Sequence, residues 1–214
     1  MSTEFNATVN AALLHAVSLF TSTETTRYYL AGVHIEKHPH MPGALLVATD
    51  GHRMLIAHDK DATVTGSAII PVSKPMLSEL ARVKKEWKSI AADRFTFVLD
   101  GKTAQIGIGQ DVPRNVATLP AERIDGTFPD WRRVTKTEHA GENKAGTICF
   151  NVDLAASFVK AEAIAQGYKN EHSALQLWAS NAEDPMIIRF NDKRLHGILM
   201  PVRGDSEYTA PYFL

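Results

Sequence analysis

The strongest constraint in this sequence is a pattern that repeats three times: a short strand, a helix with an apolar stripe, then three more strands, over roughly 60 residues per pass. Only the order and period of hydrophobicity recur, not residue identity. In the first pass Val9, Leu13, Ala16, Val17 and Phe20 are spaced by threes and fours. That spacing predicts an amphipathic helix from Asn6 to Phe20, with Asn6 as its N-cap. An opening strand is expected around Thr3 to Phe5. Runs 27 to 36, 44 to 49 and 53 to 58 are rich in Tyr, Val, Ile and Leu and read as three strands. The last two meet at Asp50-Gly51, the strongest short hairpin signal, because glycine accepts the positive φ of a tight turn.

The second pass opens with a strand over Ala68-Ile69-Ile70-Pro71-Val72. Ser73 and Pro75 then start a helix striped by Met76, Leu80, Val83, Trp87 and Ile90. Strands are expected at about 94 to 99, 103 to 108 and 114 to 123. The third pass predicts a strand from Thr147 to Val152, a helix from Asp153 to about Gln166, and strands at 174 to 179, 186 to 190 and 195 to 202. The fold class is therefore α+β, built from three βαβββ units. Two such units side by side share a core. Residues 1–134 make one two-unit domain, 135–145 a polar linker, 146–203 a third unit without a partner unit, and 204–214 a tail.

With 214 residues, 44% of them hydrophobic, the chain can bury a real core. The single Cys149 cannot form an internal disulfide. With neither a signal-peptide pattern nor a long apolar run, the expected setting is soluble, reducing and cytoplasmic. Twenty-three Lys and Arg against 24 Asp and Glu leave almost no net charge, so any contact with nucleic acid must come from local placement.

Four segments, in this order, resemble the bacterial DNA polymerase III beta sliding clamp family. They are Arg27-Tyr28-Tyr29-Leu30-Ala31-Gly32, Thr49-Asp50-Gly51-His52-Arg53, Phe128-Pro129-Asp130-Trp131-Arg132-Arg133-Val134 and Met200-Pro201-Val202-Arg203. A subunit of that family carries three domains of two βαβββ units, and two subunits close a ring around duplex DNA. The resemblance implies a DNA clamp-like fold: one complete middle domain, about residues 3 to 134, and the second half of a third domain, about 146 to 203. The family's first domain, and the half domain that supplies one wall of its docking pocket, have no counterpart among the matching segments.

The resemblance also implies a role: a non-enzymatic processivity factor of DNA replication whose pocket docks short linear peptides of polymerases and repair proteins. By matching motif, that pocket would draw on Leu30, Thr49, Gly51, His52, Arg53, Met54, Pro129, Arg133, Val134, Asn151, Met200, Pro201, Val202 and Arg203. Methionine and prolines along a floor, with arginines at the rim, suit an extended peptide with apolar and acidic anchors. The plainer reading is that these residues only pack a domain junction. The tail from Gly204 to Leu214, acidic and then aromatic, resembles such peptides. Tyr212, Phe213 and Leu214 are expected in the pocket of their own or a neighbouring chain, unless the tail merely covers an edge.

Binding of double-stranded DNA without sequence specificity needs basic helix faces. Opposite its stripe the second helix carries Lys74, Arg82, Lys85 and Lys88, with Glu79 and Glu86 on a flank. The first helix has Ala7, Ala11, Leu14 and Ser18 there, and the third mixes Lys160 with Asp153 and Glu162. A closed ring needs about twelve units, so three per chain would require four chains. The apolar residues on both sides of the third helix, Leu154 and Phe158 against Val159 and Ala163, are expected to serve a homo-oligomer, first a dimer through the odd unit.

An enzyme is the rival class. Asp50 and His52 sit in a turn that wants Asp and Gly for backbone reasons, and no serine or cysteine has an evident base. His34, His38 and His40 lack the geometry and the further ligand of a metal site. Without a P-loop or GxGxxG, no cofactor is implied. A second alternative is an adaptor or competitor of a full clamp, which keeps the pocket and does not encircle DNA.

Overall fold

The first helix begins at Asn10, not at Asn6. The Asn10 side chain accepts the backbone N–H groups of Ala12 and Leu13 at 2.9 and 3.0 Å, which caps α1 (Ala11–Ser18). The residues before it form strand β1 (Asn6–Asn10), with Ala7 and Val9 buried on one face. Val9 fits a period of two with Ala7 as well as a helical period with Leu13, and so short an apolar run does not distinguish the two.

The computed structural model describes residues 5–88, 90, 95–109, 114–135, 148–168, 175–179 and 181–203. After α1, Tyr28–Leu30 is a 3-10 turn, and the strand expected from 27 is β2 (Val33–Lys37). There follow β3 (Ala44–Thr49), β4 (Arg53–Asp59), the short β5 (Thr63–Val64) and β6 (Ser67–Ile70). Ser73 caps α2 (Lys74–Glu86), whose Met76, Leu80 and Val83 are buried as the stripe predicts, while Trp87 and Ile90 lie beyond its end. Then come β7 (Phe95–Asp100), β8 (Thr103–Ile108) and β9 (Arg114–Pro120), a 3-10 turn at Trp131–Val134, α3 (Val152–Gln166), β10 (Gln176–Trp178), β11 (Met186–Arg189) and β12 (Leu195–Leu199). The opening strand expected from 147 to 152 is not a strand among its described residues. Asn151 caps α3 there, and the Cys149 carbonyl accepts the Val202 N–H at 2.9 Å. The tail from 204 lies outside the described residues.

The strands form two antiparallel sheets, ordered β5-β1-β7-β8-β9 and β10-β11-β12-β4-β3-β2-β6. The first two units exchange opening strands: β1 pairs with β7, and β6 pairs with β2. The third unit finds its partner within the chain. Strand β12 pairs with β4, Leu199 opposite Arg53 and Leu195 opposite Ala57, so one sheet runs on from the first unit into the third.

Helix α3 lies on α1, with the Phe158 ring 4.8 Å from that of Phe20. Gly197 in β12 allows this approach, since a Cβ there would stand 2.6 Å from Phe158 Cε1. Two buried carboxylates fasten the joints. Glu162 accepts the N–H groups of Asn191 and Asp192 at 2.7 and 3.1 Å, and Asp59 accepts that of Asn10 at 2.6 Å. Alternation along the central strands splits the core. Leu46, Leu55 and Leu199 face the helices, whereas Val47, Met54 and Ile198 form a second cluster on the other side of the sheet. No helix among the described residues is long and apolar enough to cross a membrane.

Candidate functional site

The hairpin at Thr49 to Arg53 is held by its own side chains. Gly51 takes φ +91°, Thr49 Oγ1 accepts the Gly51 N–H at 3.0 Å and donates to the Arg53 carbonyl, and Asp50 Oδ1 accepts the N–H groups of His52 and Arg53. Arg53 Nε donates to Asp50 Oδ2 at 2.9 Å, its Nη2 donates to the Leu19 carbonyl at 3.0 Å, and its guanidinium lies 4.8 Å over the Phe20 ring. A cation at the end of α1 also meets the negative pole of that helix. Asp50 and Arg53 are therefore a strut between hairpin and helix. Gly51 and His52 are left exposed at the tip.

The other motifs gather around this hairpin. Beyond β12 the Met200 N–H donates to the His52 carbonyl at 2.8 Å, which lays Met200 to Arg203 between the hairpin tip and the residues before α3. The side chain of Asn151 is taken by the N–H groups of Asp153 and Leu154. Met54 and Trp131 are buried in one cluster with Leu45, Val47, Ile56, Ile187 and Ile198, and Phe128 and Val134 pack onto it. Pro129 and Arg133, in the segment that packs onto this cluster, are exposed, as are Val202 and Arg203. Leu30 is buried, and Arg27 beside it leans on the Asp50 carbonyl at 3.4 Å.

Trp131 stands in the motif and outside the expected pocket set, yet it is the largest side chain under the patch. An Arg132 guanidinium stands 4.2 Å over its ring, and Arg132 is paired with Glu36. The signal was its place between Pro129 and two arginines, since aromatic rings with cationic neighbours form interface anchors.

The three histidines have different neighbours. His34 stacks on Phe128 at 4.9 Å and its pKa is lowered by burial against the pull of Glu36. His38 lies 4.9 Å from His58 and 6.4 Å from His40, ring to ring, but its Nδ1 accepts the N–H groups of His40 and Met41. No group of three His, Cys, Asp or Glu among the described residues could hold a metal ion.

The cations of α2 lie on the other side of the sheets. Lys74, Lys85 and Lys88 are exposed, but Arg82 is bound by both Glu79 and Glu86. These carboxylates are not bystanders on a flank, and the basic face is correspondingly weaker than its sequence.

Comparison with solved structures places this architecture. The chain aligns with the C. crescentus beta sliding clamp at a TM-score of 0.62 and 17% identity, over 95% of this chain and 67% of that one. The Pseudomonas aeruginosa DNA polymerase sliding clamp gives 0.62 and 18%, over 94% and 66%. DNA polymerase III subunit beta from Borrelia burgdorferi gives 0.64 and 12%, over 94% and 63%. The chain has the fold of the beta sliding clamps. In sequence, a stretch of 124 residues is 33% identical to the beta sliding clamp of Caulobacter vibrioides strain NA1000 / CB15N, which takes in 56% of this chain and 30% of that protein. The same values hold for the clamp of strain ATCC 19089 / CIP 103742 / CB 15. The chain thus spans about a third of the curated relatives and about two thirds of the solved clamps. No protein-family model matches it. The resemblance first seen in four short motifs therefore extends to the α+β clamp fold.

Proposed function

We propose that this protein docks short linear peptides of DNA replication and repair proteins on the patch around Met54, with the activity of a clamp-like processivity factor as its context. The observation that carries this reading is convergence. Segments at 49–54 and 128–134, far apart in the chain, pack together on the face of the sheet away from the helices, and Met200 is hydrogen-bonded to the His52 carbonyl at the hairpin beside them. A buried methionine and tryptophan under an exposed rim of Arg133 and Arg203 match an extended ligand with apolar and acidic residues. The strut of Asp50 and Arg53 gives the site a rigid wall, which limits the ordering cost of binding.

The test is fluorescence anisotropy with a labelled peptide that alternates acidic and leucine or phenylalanine residues. Val134→Asp or Met200→Glu should weaken binding by about tenfold or more, roughly 1.4 kcal/mol, and Lys193→Gln should not. Equal affinity in all variants would mean that the patch only packs a junction.

Encirclement of duplex DNA belongs to an oligomer in this reading. Light scattering would have to find a tetramer near four times 23.5 kDa, with Lys74, Lys85 and Lys88 toward the DNA. A monomer or dimer leaves peptide docking without a ring, as an adaptor or competitor of a full clamp. The pairing of Arg82 with Glu79 and Glu86 favours this second reading.

A further inference from the structure

Between α1, α2 and α3 lies an open cleft of about 380 Å³, on the helix-covered side of the seven-stranded sheet and so apart from the Met54 patch. Its walls are largely apolar: Leu77, Leu80 and Ala81 from α2, Ala163 and Ile164 from α3. Tyr168, an exposed ring just past the end of α3, stands at its rim. Three basic side chains reach it from three different helices, His15, Lys84 and Lys160, and among the described residues no lining residue is acidic.

The contrast with Arg82 is informative. On the solvent side of α2 the cation is matched by two carboxylates, while Lys84, two residues on, is half-buried in the cleft and pairs with no carboxylate among the described residues. Burial pushes the Lys84 ammonium down, and burial together with Lys84 and Lys160 pushes His15 down, so each group would gain from an anion among them. His15 and Lys84 stand in the last turns of their helices, where the dipole favours a cation. Lys160 stands in the middle of α3, and that reason does not extend to it.

We infer that this cleft binds a small organic anion, a phosphate monoester or carboxylate carried on an aromatic or short aliphatic body. The head lies among Lys84, Lys160 and His15, where charge-assisted hydrogen bonds are strongest in partly dry surroundings. The body lies along Leu77 and Ile164 and against the Tyr168 ring. The volume is that of an ordinary small-molecule pocket.

The experiment is calorimetric titration of the full chain with phenyl phosphate, beside inorganic phosphate and phenol as its two halves. Phenyl phosphate should bind, with each half about tenfold weaker or more. Lys84→Met with Lys160→Met should remove the binding. Ala81→Leu, at an exposed helix position that tolerates leucine, should block the body and leave the weak phosphate binding as it was. Lys193→Gln should change nothing. Phenyl phosphate that binds no better than inorganic phosphate, or that survives either the double variant or Ala81→Leu, overturns the inference. Displacement of phenyl phosphate by a short DNA duplex also overturns it, because Lys84 and Lys160 would then be part of a nucleic-acid surface.

Discussion

Helices α1 and α2 hold the same place in successive repeats and carry opposite surfaces. Seven residues of α1 are buried, and it has no charge other than the histidine. On α2 only Met76, Leu80 and Val83 are buried, and the rest of the helix is mostly Lys, Arg and Glu. The units are alike, so the difference must come from neighbours. Helix α3 lies on the outer side of α1 and closes it off, whereas α2 keeps a face toward water. Apolarity all round a helix counts its neighbours. The extra neighbour of α1 is α3 of the same chain.

The largest test of this contrast is to separate the helices. Phe158 is fully buried between Phe20 and Phe190, and Phe158→Ala should cost about 3 to 5 kcal/mol in denaturant unfolding. If the third unit leans on α1 as described, loss occurs in one cooperative transition. Two separate transitions would show that the units fold apart. Next comes the strut at the end of α1. Arg53→Met leaves Asp50 Oδ2 and the Leu19 carbonyl without the guanidinium donor, for about 1 to 3 kcal/mol by the same measurement. An unchanged midpoint would return Arg53 to the peptide rim. Gly51→Ala should cost about 1 kcal/mol because φ is +91°, the near approach of a Cβ to Arg27 being relieved by side-chain movement.

Acid should weaken the fold gradually, from both faces of the seven-stranded sheet. Burial lowers the pKa of His15, His34 and His196 in the folded chain. The unfolded chain then binds more protons, so stability is full above the unfolded value near 6.5 and is lost as pH falls from there toward the folded values. His15→Gln should flatten the slope of Tm against pH, and a steeper one would contradict the sign. Asp59 acts in the opposite direction at lower pH. Burial raises its pKa, so its contribution is full below 3.8 and declines as pH rises through the folded value. The smallest effect is expected at Arg82→Gln, which breaks only exposed pairs with Glu79 and Glu86 and should leave Tm unchanged within error. A clear loss there would make the α2 surface structural rather than merely solvated.

Much of the fold was legible because amphipathic periods are local. The α2 stripe, its Ser73 cap, the Asp50-Gly51 hairpin and the strand pairs β3 with β4 and β7 with β8 follow from residues within a few positions of one another. The candidate site was legible as four motifs, through their resemblance to a known family. What each residue does within it was not. Arg53 read as a rim cation and is a strut. Asn151 read as a pocket residue, and its side chain caps α3. Trp131 was passed over and lies under the patch. The roles of Arg53 and Trp131 depend on partners tens of residues away, whereas the Asn151 cap is local.

By itself the sequence determined the kind and order of the elements, since turn chemistry, caps and hydrophobic period act between near neighbours. Only the tertiary structure decided that units one and two exchange opening strands, that β12 continues the sheet of β4, and that α3 seals α1. An edge strand offers the same row of N–H and C=O groups to any partner. Which edge it joins is settled by which apolar faces are buried together, and that is a property of the whole chain.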